Sequence, residues 1–144
     1  MLVDRIKSEV LIQLGRFDEA ESIVERYLRD NPNDEGGRLT SVRAILLAKA
    51  GKAKAAEEII EHAVKIGKGF GHFHHTAHNI ASAYAALAEE GKAVKWLEIA
   101  ADDGFPNYTY FAVDRNLDRL RKYPPFVALM STLKRQWERF KAIA

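Results

Sequence analysis

Cysteine is absent from the 144 residues, which removes disulfides, thiolate metal sites and cysteine nucleophiles from consideration. No apolar run approaches the roughly 18 residues needed to span a membrane. The opening stretch MLVDRIKSEVLIQLG carries acids early and polar groups throughout, unlike a signal peptide. Strict alternation of apolar and polar residues occurs nowhere, so nothing reads as a half-buried strand. These absences point to a soluble, cytoplasmic chain or a soluble segment of a longer protein.

The composition fits one folded unit. Hydrophobic residues at 47% and charged residues at 29% are ordinary for a globular protein, and the length suits one core or a short stack of repeats. The net charge is only +2, yet residues 1–36 hold five Lys/Arg against nine Asp/Glu, whereas residues 115–141 hold eight against two. Such an end-to-end dipole either marks two solvated faces of different charge or favours head-to-tail contact.

A repeat runs through the chain. LGRFDEAESIVERYL (14–28), AGKAKAAEEIIEHAV (50–64) and AEEGKAVKWLEIAA (88–101) each pass from a turn to an alanine and then to large apolar residues on one helical face. The anchoring Ala20, Ala56 and Ala93 are 36 and 37 residues apart, and small residues at a helix crossing allow close approach. Upstream of each lies another amphipathic stretch: Val3, Ile6, Val10, Leu11 and Leu14; Leu39, Val42, Leu46 and Leu47; Phe73, Ala77, Ile80, Ala81 and Tyr84. The spacing predicts three helix–turn–helix hairpins over about 1–34, 37–68 and 72–104, within a single domain spanning 1–144. RDNPND (29–34) and GKGFG (67–71) are the breaks between them.

After residue 104, Gly104, Phe105 and Pro106 stop the third hairpin. The segment 114–121 reads as a short helical turn with Leu117 and Leu120 inward, and Pro124 or Pro125 begins a last helix. There Phe126, Met130, Leu133, Trp137 and Phe140 share a face. This closing turn and capping helix, 105–144, covers the end of the stack as terminal repeats require. No equivalent cap precedes residue 1, so the sequence suggests either a segment of a longer protein or a second copy meeting Val3, Ile6 and Val10.

GRFDEA (15–20), Tyr27 and NPND resemble the tetratricopeptide repeat, although the second and third units are longer and lack its helix-A tryptophan. From residue 71 onward, GHFHHT, NIASAYA, DGFP, NLDRLR and PPFVALM occur in order. They are similar to the end-of-group module that closes tetratricopeptide regions of bacterial signalling proteins, among them serine/threonine kinases and adenylate cyclases. The resemblance implies an all-α superhelix of three hairpins with a capping helix, and a non-catalytic scaffold whose concave groove receives a protein or peptide. By that analogy the groove is lined by Arg5, Glu9 and Gln13 from the first repeat and Arg38, Ser41, Ile45 and Lys49 from the second. His75, His78 and Ser82 come from the third.

The stretch GKGFGHFHHTAHN (67–79) holds four histidines in seven positions. On a helical wheel Phe73, Ala77, Ile80 and Tyr84 mark the core face. His74 then borders the core, and His75 and His78 point away from it. His74 and His78 form an i, i+4 pair able to chelate a transition metal from one helix, so a metal-binding or hydrolytic protein using His72–His78 is one alternative. Against it, a structural zinc takes four ligands and His62 is the only other histidine. The pair also lacks the glutamate of the His-Glu-x-x-His pattern. No cofactor is expected.

Other chemistries fare worse. GKGFG follows a helix, where a dinucleotide-binding fingerprint follows a strand. Serine and threonine lack a nucleophile elbow. RNLDRLRKYP (115–124) beside Tyr108, Tyr110 and Phe111 carries the basic and aromatic residues of a single-strand binder, but the repeat assigns them to packing. The expectation is a non-enzyme that binds protein, neither nucleic acid nor membrane, as a monomer or weak homo-oligomer. Self-association through Val3 and Ile6 is the remaining alternative.

Overall fold

A computed structural model describes residues 1–144. The chain is all-α, with no strand: α1 (Leu2–Gln13), α2 (Phe17–Asp30), α3 (Arg38–Lys49), α4 (Ala53–Gly67), α5 (Phe73–Ala86), α6 (Glu90–Asp102), α7 (Tyr108–Val113), the 3₁₀ turn Arg115–Leu120 and α8 (Pro124–Ile143). Helices α1 and α2, α3 and α4, and α5 and α6 pack in pairs, and α3 touches both α1 and α5. Ala20, Ala56 and Ala93 are all fully buried where the paired helices meet. Around them the core closes through Val24, Leu39, Val42, Ile60, Ile80 and Leu97.

The repeat is sharpest in the turns inside each pair. Arg16 N–H bonds to the Leu11 carbonyl at 2.9 Å, Lys52 N–H to Leu47 at 3.0 Å and Glu89 N–H to Tyr84 at 2.9 Å. Each is the six-to-one bond of a helix ending on a left-handed residue. That residue is Gly15 (φ 73°), Gly51 (φ 74°) and, in the third, Ala88 (φ 59°). A side chain makes this conformation unfavourable by about 1–2 kcal/mol, partly offset by the lower chain entropy of alanine when unfolded. Ala88→Gly is therefore expected to stabilise the protein by about 0.5–1 kcal/mol, read as a higher urea midpoint with unchanged slope.

The links between pairs are tied down by polar contacts. The Asp34 carboxylate accepts both the N–H and the hydroxyl of Thr40 at 2.7 Å, capping the start of α3. The Thr76 hydroxyl of α5 donates to the Gly36 carbonyl at 2.8 Å. Gly37, which opens α3, presses so close to α4 that a Cβ built on it would lie 2.7 Å from the Ala63 carbonyl oxygen.

The closing segment holds more structure than a turn. α7 buries Phe111 completely, and Leu117 and Leu120 of the 3₁₀ turn point inward as expected. Pro124 starts α8, where a missing N–H is harmless. Phe126 and Leu133 of α8 are buried, and the helix rests on α6 and α7. Its cover is partial, however. Trp137 stands against Tyr108 with ring centroids 5.5 Å apart, while Phe140 and Ile143 are 70% and 79% exposed. At the other end of the chain Leu2, Val3, Ile6, Val10 and Leu14 are likewise exposed.

The first helix meets the closing segment. Gln13, the last residue of α1, donates through its amide to the Asp114 carboxylate at 2.6 Å. In return it accepts the Arg115 N–H at 3.3 Å on its side-chain oxygen. The closing segment therefore crosses the face formed by α1 and α5, as well as lying over the third pair.

Candidate functional site

That crossing makes a cleft. α1 supplies Arg5, Ile6, Glu9, Val10, Gln13 and Leu14 to one wall; His75 and His78 of α5, with Phe105 and Tyr110 of the closing segment, supply the other. Its volume is about 350 Å³, room for a few side chains. The apolar wall of Ile6, Val10 and Leu14 follows from i, i+4 spacing on α1. The aromatic wall follows from the Gly104–Phe105–Pro106 break, which ends α6 and turns the chain back.

Two polar chains run through the floor. In the first, one Arg5 guanidinium nitrogen donates to both Glu9 oxygens at 2.9 Å. The Asn79 amide donates to Glu9 at 3.1 Å and to the Ser41 hydroxyl at 3.2 Å, and Ser41 donates to the Arg38 carbonyl at 2.7 Å. In the second, the fully buried Asp114 carboxylate receives Gln13, the His78 Nε2–H at 2.9 Å and the Asn116 N–H at 2.9 Å. Arg121 donates to the carbonyls of Phe111 and Asp114 at 2.7 Å, fixing the backbone that carries the carboxylate.

The electrostatics follow from these contacts. Burial alone raises the Asp114 carboxyl, but the donors from His78, Gln13 and Asn116 outweigh it and hold it below its ordinary value. Burial, then Arg5 and the neighbouring imidazoles, push His75 down to about 4, so its ring is neutral at pH 7. Burial first, and then the charges of Asp114 and Glu9, raise the Tyr110 hydroxyl.

The residues expected to line a groove divide into three groups. Arg5, Glu9, Gln13, His75 and His78 do come together in the cleft. Ser41, Ile45 and Ser82 lie fully or almost fully buried beneath it, which corrects their placement on an open surface. Arg38 and Lys49 sit at opposite ends of α3, outside the cleft: Arg38 donates to the Gly71 carbonyl at 3.3 Å, and Lys49 lies over the Phe17 ring, 5.7 Å from its centroid.

His78 is a second correction. It does not point away from the core; it is 6% exposed, stacked on Phe111 with ring centroids 5.5 Å apart and bonded to Asp114. The wheel recognised only the face of α5 that meets its partner helix, whereas the closing segment buries the opposite face too. The sequence did carry a sign of this, since residues 73–88 contain no Asp, Glu, Lys or Arg, and a helix without a charged face is a buried helix. The metal pairing changes as well. His78 is committed to Asp114, and the imidazoles that cluster are His72, His74 and His75, with ligand atoms within 4.8 Å of one another. Ile6, Val10, Leu14, Phe105 and Tyr110 were missed as cleft residues, and Asp114 as the buried acceptor for Gln13 and His78, because nothing in local periodicity brings residue 114 to residue 13.

No helix is long and apolar enough to cross a membrane. No family model, curated protein or solved structure matches the chain.

Proposed function

We propose that this chain is a non-catalytic protein-interaction module that takes an apolar segment of a partner protein into the cleft between α1 and the α5–α7 wall. The observation that carries this reading is the exposed ridge of Ile6, Val10 and Leu14 facing Phe105 and Tyr110 across a gap of about 350 Å³. Exposed apolar side chains gathered along a concavity mark a binding surface. The polar groups of the floor, the Arg5–Glu9 pair among them, bond mainly to one another, which supports recognition over catalysis. The repeat pattern, with its three equivalent turns, supports a tetratricopeptide-like superhelix. The end-of-group resemblance supports a cytoplasmic place within a bacterial signalling protein.

The test is selection of a random peptide library on the full chain, followed by titration of the enriched peptides against the chain and its Ile6→Asp/Val10→Asp variant. Selected peptides are expected to carry apolar anchors and to bind the variant at least about tenfold more weakly, the loss of one good apolar contact being about 1.5–3 kcal/mol. Equal binding to both proteins overturns the cleft as the site.

A second reading rests on a different observation. Exposed Leu2 and Val3 lie in the acidic end of the sequence, and exposed Phe140 and Ile143 in the basic end, a complementarity suited to head-to-tail contact between copies. Its signature is a concentration-dependent mass in sedimentation that Phe140→Glu abolishes.

A further inference from the structure

The strained start of α5 remains unexplained by the cleft. His72 opens α5 at φ 64°, ψ 28°, a left-handed conformation that side chains rarely adopt. The corresponding position before α3 has nearly the same angles, φ 67°, ψ 22°, and there the residue is Gly37. One pair of helices thus meets this backbone demand with glycine and the next with histidine, flanked by Gly69 and Gly71. Strained backbone tends to cluster at functional sites, and histidine is one of the few residues besides glycine enriched in this conformation.

The side chain in question joins two others. His74 and His75 follow in the first turn of α5, and one ligand atom from each of the three rings lies within 4.8 Å of the others. The rings of His74 and His75 are 4.4 Å apart at their centroids, and His72 is 5.4 Å from His74. His74 is oriented from behind: its Nδ1 lies 3.1 Å from the Asp103 carbonyl, which only accepts, so Nδ1 carries the proton and Nε2 keeps its free lone pair. The Asp103 carboxylate receives the His74 backbone N–H at 2.8 Å and lies 3.4 Å from Nδ1. A histidine whose second nitrogen donates to a carbonyl or carboxylate is the usual arrangement behind a metal ligand.

We propose that His72, His74 and His75 form a three-imidazole site for a divalent transition ion of the Zn²⁺ class, with the remaining coordination position open to solvent. Three nitrogens about 2.0–2.1 Å from zinc stand about 3.3 Å from one another. Contraction from within 4.8 Å needs only side-chain rotation, which the exposed His72 is free to make. Imidazole ligands select zinc, copper and nickel over magnesium and calcium. The positive end of α5 opposes a cation there, and the carboxylate of Asp103 offsets it. His78 takes no part, because it is not among the imidazoles whose ligand atoms gather here. The site shares His75 with the wall of the partner cleft, whereas His72 and His74 lie outside the cleft lining.

The experiment is calorimetric titration of the metal-stripped full chain with ZnCl₂, beside His72→Gly, His75→Ala and His62→Ala, with Co²⁺ absorption as a spectroscopic check. One ion per chain is expected, with a ligand-field band from Co²⁺. His72→Gly and His75→Ala each weaken binding at least about tenfold, since loss of even a supporting residue behind a ligand does as much, and His62→Ala leaves it unchanged. His72→Gly relieves the backbone strain and so keeps the fold, which separates lost ligation from lost structure. Absent binding, or binding equal in the parent and in His72→Gly, overturns the proposal.

Discussion

Replacing Asp114 with alanine is expected to lower the free energy of unfolding by about 3–5 kcal/mol, the usual result of removing one partner from a buried charged network. The carboxylate is 1% exposed as a residue and serves three donors. Its loss leaves the buried His78 ring and the Gln13 amide without an acceptor and uncaps the 3₁₀ turn. Urea unfolding at pH 7 reads the effect directly. Asp114→Asn retains an acceptor for Gln13 and Asn116 and is expected to lose less, about 1–3 kcal/mol. Equal losses in the two variants would show that shape, and not the carboxylate, matters at this position. The sign of the pH dependence follows from the direction of the shift. Because the folded-state value lies below the ordinary 3.8, the stabilisation is fully present above that value and disappears as pH falls through the folded-state one. Acid unfolding of the parent is thus expected to begin below about pH 4, and Asp114→Asn loses that part of the pH dependence.

Gly37→Ala is the second large effect. The added carbon would lie 2.7 Å from a backbone oxygen of α4, with the Ala63 carbonyl carbon and Cα both at 3.3 Å. Backbone on both sides has little room to yield. The left-handed angle contributes about 1–2 kcal/mol, and overpacking adds about 1–3 kcal/mol, so a total loss of about 2–5 kcal/mol is expected. Gly51→Ala supplies the comparison. Its φ is 74° and nothing lies within 4 Å of the added carbon, so only the angle contributes. A difference of at least about 1 kcal/mol between the two variants, from thermal or urea melts, isolates the helix–helix contact. Equal losses would mean that α3 and α4 separate without resistance.

These two positions show what the sequence made legible. Everything carried by local spacing was readable: Ala20, Ala56 and Ala93 predicted the crossings, the breaks at 29–34 and 67–71 divided the pairs, and Pro124 marked the start of α8. Gly37 and Asp114 depend on contacts across the chain. No periodicity indicates that residue 37 touches residue 63, or that residue 114 returns to residue 13. The candidate cleft was half legible for the same reason. The α1 side follows from helical spacing, whereas Phe105, Tyr110 and the burial of His78 depend on where the closing segment lies. The uncharged run over 73–88 was the available hint that α5 is covered on two faces. The stripe on α8 gave the opposite error, because an apolar face predicts a partner without saying how far along the helix the partner extends.

The contact between Gln13 and Asp114 also changes how the chain unfolds. In an open array of repeats each unit leans only on its neighbours, so the ends fray first and the middle survives as a partly folded species. Here residue 13 and residue 114 are bonded across 101 positions of sequence, so opening α1 also breaks a buried polar contact with the closing segment. The first helix and the closing segment are thus expected to lose amide protection together, held by contacts whose distance in sequence slows folding.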